Sequence, residues 1–225
     1  RGLAVLLVLL FHYFPESFPS GYLGVDIFFV ISGFVISKIL LTEISMMGEI
    51  NLKNFFSKRI KRLLPSLVII LLASNLFAFF YYLPDEMYSH AKQIIASAFF
   101  VQNFLMLSEV GYFNLEAKLK PLLHLWSLSV EAQFYIAMPL IFMVLAKKIK
   151  LLIYTLIIIF FLSLFVVIAT YDSFSDILFY VPFTRSWEFL AGSFVAFIQS
   201  KMDSTKPLQK NNKTFLANAG YIFSF

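Results

Sequence analysis

Tyr22 to Leu41 reads YLGVDIFFVISGFVISKILL, with an acid near its start, a lysine near its end and eleven uncharged residues between Asp26 and Lys38. As α-helix, 20 residues reach about 30 Å, the thickness of a bilayer's hydrocarbon core. The apolar residues run continuously instead of alternating, which favours a helical span over a strand of a barrel. Similar runs recur at about Leu63–Leu83, from Pro121 to near Ala146, at Leu151–Tyr171 and at Ile177–Gln199. A shorter one opens the chain at Arg1–Phe14. The composition agrees: 60% of the residues are hydrophobic, 29 are Phe, and only 14% are charged, against roughly 25% in ordinary globular domains. The expected fold is all-α, a polytopic transmembrane helical bundle.

The net charge of +5 matters through its placement and gives no argument for nucleic acid. Lys53, Lys58, Arg59, Lys61 and Arg62 cluster in the loop at 43–62, Lys147, Lys148 and Lys150 at 147–150, and Lys201, Lys206, Lys210 and Lys213 in the tail. The other turns carry Glu16, Asp85 with Glu86, and Asp172 with Asp176. Positive residues in short loops mark the cytoplasmic side, so the first helix is expected to run outward. Residues 84–122 then begin and end outside, and IIASAFFVQNFLML within them is expected to be re-entrant, since its length suits that better than a span. The sequon at Asn212 falls on the cytoplasmic side and is read as chance. The first and last apolar runs are both short, which suggests a chain cut inside a helix at each end. With no cysteine in the chain, thiolate catalysis and disulfides are excluded.

Ionisable groups inside apolar helices are costly and are functional candidates by default. Arg1 and His12 are eleven positions apart, which at about 100° per residue returns them to one face roughly 16 Å apart. The bland alternative is a snorkelling Arg and an interfacial His. An antiparallel hairpin centred near Pro19 would set Asp26 opposite His12 at matched depth. A carboxylate there would fix the imidazole tautomer and raise its basicity, as a general base requires; a purely structural hydrogen bond is the alternative. Arg59 and Arg62 share a face at the expected start of a helix, where guanidinium forks and helix N–H groups suit phosphate. Charge that merely flanks a span is the alternative.

In HLWSLSVEAQFY, His124, Ser127 and Glu131 form one helical stripe. Glu131 must find a cation or protonate. A Ser–His–Glu nucleophile set is disfavoured because stripe neighbours point side by side. Interhelical hydrogen bonding is expected for Ser127, and Trp126 could equally be an interface anchor. Arg185 and Glu188, at i and i+3, are expected to neutralise each other.

RGLAVLLVLLFH, GVDIFFVISGFVIS, KRIKRLLP, LHLWSLSVEAQFY and RSWEFLAG, in this order, resemble the acyltransferase-3 family of bacterial membrane acyltransferases, of the O-antigen and peptidoglycan O-acetylase type. The resemblance implies a domain of about ten membrane helices in the bacterial inner membrane, of which residues 1–225 would be the N-terminal portion. A C-terminal SGNH-type domain would lie beyond them. It implies transfer of an acyl group, expected to be acetyl, from cytoplasmic acetyl-CoA to a hydroxyl of an envelope glycan or lipid-linked sugar, with no metal. The family's first-helix Arg and His match Arg1 and His12, its cytoplasmic Arg-x-x-Arg matches Arg59 and Arg62, and its SLSVE glutamate matches Glu131. Arg1 would guide the acyl-CoA or polarise its carbonyl, and His12, helped by Asp26, would act at the sugar hydroxyl. A transporter or channel with an intramembrane His/Asp/Arg path, and a non-catalytic scaffold of envelope synthesis, are the rival readings.

Overall fold

The computed structural model describes residues 1–109 and 120–205. The described residues are all-helical, without strands. In chain order they form α1 (Gly2–Tyr13), a 3-10 turn (Gly21–Leu23), α2 (Gly24–Met47), α3 (Leu52–Tyr81), α4 (Pro84–Ala98), α5 (Gln102–Ser108) and α6 (Leu125–Leu145). A second 3-10 turn (Ala146–Lys148), α7 (Ile149–Tyr180) and α8 (Ser186–Thr205) follow. Three helical stretches, Gly21–Met47, Leu52–Tyr81 and Leu125–Asp172, are long and apolar enough to cross a membrane. The expected last apolar run and the sequon at Asn212 lie outside the described residues.

Local chemistry sets the boundaries. α2 stops where Gly48 adopts φ +74° and its N–H caps Ile44 O, a conformation only glycine takes cheaply. α3 starts at Asn51, whose side chain accepts from the Asn54 N–H at 3.0 Å. It therefore begins seven residues before Arg59, and the expected loop 43–62 is mostly helix. α4 opens with Pro84 at its first position and Glu86 accepting from the Leu83 N–H, both standard start signals. α7 continues through Asp172 and Asp176, where a turn was expected, because nothing there breaks a helix; Pro182 does, and α8 begins at Ser186 instead of near Ile177.

The bundle is pinned by α2 against α8. A Cβ on Gly33 would lie 1.9 Å from the Phe189 carbonyl oxygen, and one on Gly192 would lie 1.9 Å from that of Val30. Ser37 Oγ donates to Ser193 Oγ at 2.8 Å in the same seam. Small residues are how helices approach closely in lipid, where no hydrophobic drive separates protein from solvent. The pairs Asp26–Arg185, Gly33–Phe189 and Ser37–Ser193 ascend together, so α2 and α8 run parallel. Phe29–Trp126 and Ser32–Glu131 make α6 parallel to both. Below this level Ile36, Leu40, Tyr135, Met138, Phe142, Leu152 and Leu156 form a common core.

The direction of α6 bears on the re-entrant segment. If α3, long and apolar enough to do so, crosses a membrane once, an α6 parallel to α2 starts on the side where α3 ends, as the charge parity expects. The run expected to be re-entrant is broken at Phe100, whose φ of +56° is strained for a side chain of that size. The seven-residue α5 that follows is too short to span. The kink is held from α6: Gln133 Nε2 donates to Phe100 O at 3.0 Å and to Asn103 Oδ1 at 2.9 Å.

Candidate active site

Glu131 lies on α6, 1% exposed. Its Oε1 receives three donors: Arg1 Nη2 at 3.0 Å, Ser32 Oγ at 2.6 Å and the Tyr135 hydroxyl. Arg1 Nη2 also donates to Ser32 Oγ at 2.7 Å and Tyr135 Oη at 3.2 Å, and its guanidinium sits over the Phe28 ring at 4.9 Å. The cation that Glu131 required is therefore Arg1, 130 positions away. One positive and one negative charge close on each other, and two hydroxyls share the same oxygen, which offsets much of the cost of burying an ion pair; Arg1 Nε is buried without a hydrogen bond. Ser32 and Tyr135 were not anticipated. Tyr135 carried a signal, one turn after Glu131 on the same stripe; Ser32 carried none.

Arg59 stands beside this network. Its guanidinium lies 5.7 Å from the Tyr135 ring centroid and 5.6 Å from that of Phe55. Among the described residues it has no carboxylate partner, and its Nε is buried without a hydrogen bond. A half-buried cation with an unused donor, next to an already neutral pair, leaves net positive charge for an anion to meet. Arg62 is exposed. The expected helix N-terminus does not contribute, because α3 starts at Leu52, seven residues before Arg59, and the Asn51 side chain occupies its Asn54 N–H.

At the other end of α1, His12 is exposed and its Nδ1 lies 2.8 Å from Val8 O. A carbonyl oxygen can only accept, so Nδ1 carries a proton, and in the neutral ring the lone pair is on Nε2. The tautomer is thus set by the helix's own backbone. The expected partner, Asp26, is elsewhere: it binds Arg185 Nη1 at 3.3 Å. The Gly21–Leu23 3-10 turn breaks the symmetric register that set residue 26 opposite residue 12, and the parallel seam brings Asp26 to the start of α8. Arg185 also holds Glu188 at 2.9 Å, so the expected self-neutralising pair is present, with Asp26 as a third member.

His12 instead meets His124, ring to ring, with centroids 4.7 Å apart and planes at 87°. Arg1 and His12 do share a face, as the spacing implies, and the face looks onto α6 at two levels: Arg1 at Glu131, His12 at His124. The stripe divides its roles. Ser127 Oγ turns back to His124 O at 3.1 Å and makes no interhelical bond among the described residues. Trp126 is 4% exposed and packs on Phe29, Phe179 and Tyr180, so it is core and not an interface anchor.

A family model described as an acyltransferase domain matches residues 1–223. Over 151 residues the chain is 40% identical to a Staphylococcus aureus (strain COL) protein named "Putative O-acetyltransferase". Over 151 residues it is also 35% identical to O-acetyltransferase OatA of Staphylococcus aureus (strain NCTC 8325 / PS 47). Each match covers 67% of this chain and 25% of the relative, so the chain corresponds to about a quarter of the length of these proteins. No solved structure matches it.

Proposed function

Because the chain belongs to the acyltransferase-3 family, we propose that it is part of a membrane O-acyltransferase. The enzyme moves an acetyl group from cytoplasmic acetyl-CoA to a hydroxyl of an envelope carbohydrate such as peptidoglycan, O-antigen or a lipid-linked sugar. It sits in the bacterial inner membrane as a multi-pass protein. The observation that carries this reading is the state of His12: Nδ1 committed to Val8 O, Nε2 open, on the exposed end of the helix whose other end bears Arg1.

The geometry supports one division of labour. Arg59, with its unused buried donor, takes the CoA phosphates, with Arg62 at the more exposed edge of the same helix. Arg1 is held by Glu131, Ser32 and Tyr135, so it positions the donor end of the substrate as a fixed dipole partner and not as a mobile cation. Asp26 belongs to the Arg185 cluster and shapes the neighbouring wall. His12 Nε2 accepts the sugar hydroxyl's proton as its oxygen attacks the acyl carbonyl, and the proton ends on the CoA thiolate. Loss of such a base lowers turnover by roughly 10²–10⁴.

The test uses the full-length protein in membranes, with acetyl-CoA as donor and O-acetyl content of the surface glycan read by mass spectrometry. His12→Gln is expected to insert at wild-type levels, bind acetyl-CoA, and lose transfer by that factor. Near-normal O-acetylation by His12→Gln overturns the assignment.

A further inference from the structure

Among the groups outside the roles assigned above, His124 has the clearest opening for chemistry. It is exposed, at the N-terminal cap of α6, and its ring lies against that of His12 at 4.7 Å between centroids. Among the described residues neither of its ring nitrogens makes a hydrogen bond; the His124 contact to Ser127 uses the backbone carbonyl. Two imidazoles therefore stand together, one with its tautomer fixed and a lone pair open, the other with both nitrogens open. An imidazole kept only for packing would be served by Phe, and this region is rich in Phe. The helix that presents His124 also carries Glu131, whose bonds to Arg1 and Ser32 tie α6 to α1 and α2. That anchorage fixes the spacing of the two rings.

We propose that His124 is a second catalytic residue, donating a ring N–H to the acyl oxygen as charge develops on it, while His12 takes the hydroxyl proton. This inference rests on the acyl-transfer reading. The step balances: the sugar oxygen bonds to the acyl carbon as its proton moves to His12 Nε2, and the carbonyl π electrons move onto the oxygen facing His124. Collapse re-forms the carbonyl, breaks the carbon–sulfur bond, and the leaving thiolate takes the proton from His12. A neutral imidazole has one N–H and one lone pair, so each ring can perform only one of these two tasks at a time. That gives a reason for the pair. Removing one donor to a developing oxyanion costs about 10²–10³ in turnover.

Three variants of the full-length protein separate a donor from a packing ring, each assayed in membranes with acetyl-CoA at matched protein levels. His124→Phe keeps a ring against His12 and removes the donor; it is expected to lose turnover about 10²–10³-fold with acetyl-CoA affinity unchanged. His124→Gln discards the ring and restores an N–H; it is expected to recover at least tenfold over His124→Phe. His12→Gln gives the reference loss for the base. Wild-type-like turnover in His124→Phe, or equal loss in His124→Phe and His124→Gln, overturns the donor role while leaving the acyl-transfer reading intact. A wild type that transfers nothing from acetyl-CoA, or a normal His12→Gln, overturns that reading and this one with it.

Discussion

The two ends of α1 face the same helix and are treated in opposite ways. At one end Arg1 is bonded to Glu131, Ser32 and Tyr135, and the carboxylate it meets is 1% exposed. At the other, His12 and His124 touch each other, are both exposed, and leave at least Nε2 of His12 open. An ion pair out of water persists only when its charges are met by good partners. The Arg1 end is therefore the more fully bonded one, with the charge of each partner met although Arg1 Nε has no hydrogen bond, and under the proposed reaction it holds a field and a spacing. The His12 end is the less bonded one, and its open nitrogens can bind and release protons. The lesson concerns where to look in an apolar bundle: the buried charges mark the frame, and the under-bonded groups next to them mark the chemistry.

The largest effect should come from breaking the more fully bonded end. Glu131→Ala leaves a guanidinium without its carboxylate and two hydroxyls without their acceptor, a change worth about 3–5 kcal/mol for a buried pair. The expected outcome is a lower unfolding temperature in detergent and poor accumulation in the membrane. Replacing both partners, Arg1→Met with Glu131→Leu, should restore much of that stability without restoring transfer. His12→Gln should melt within about 0.5 kcal/mol of wild type, as exposed changes do. Equal melting of Glu131→Ala and wild type would erase the contrast between the two ends.

A smaller effect tests the cation beside the network. Arg59→Ala should weaken acetyl-CoA binding by about 1.5–3 kcal/mol, the worth of a charged hydrogen bond. Lys58→Ala, exposed on the same helix, should cost less than about 1 kcal/mol. Binding measured by calorimetry on purified protein distinguishes them. Equal small losses would make the cluster a topology signal only.

Much of this contrast was legible in the sequence, for a definite reason. Helical periodicity alone puts Arg1 and His12 on one face, and the cost of an unpaired carboxylate alone requires a cation for Glu131. The charge parity of the loops likewise agrees with an α6 parallel to α2. What periodicity does not carry is register between elements. Asp26 was set opposite His12 by assuming a symmetric turn, and the 3-10 turn at Gly21–Leu23 removed that symmetry. Arg185 is 159 positions from Asp26, and only the glycine-lined seam of α2 and α8 brings them together. Hydropathy also misplaced two boundaries. It began α3 where the grease begins, although Asn51 caps the helix earlier, and it ended α7 at acidic residues that a helix tolerates.

The smallest effect should come from Asp26, and it sharpens the comparison most. If a carboxylate served His12, Asp26→Asn would lower turnover nearly as far as losing the base. In the structure Asp26 bonds to Arg185, which also holds Glu188 at a shorter distance. Asn still offers a carbonyl oxygen to the guanidinium, and Glu188 still neutralises it. The Asp26 side chain is 28% exposed, so the lost Coulomb attraction is partly screened and worth at most about 1 kcal/mol. His12 keeps its tautomer from Val8 O in either case. Asp26→Asn is therefore expected to retain turnover within about threefold, far from the roughly 10²–10⁴ loss of a general base. The measurement is O-acetyl content at matched membrane levels, with the pH dependence of transfer read in parallel. A loss approaching that of His12→Gln, or a displaced pH profile, would tie Asp26 to the imidazole and move the carboxylate back to the open end of α1.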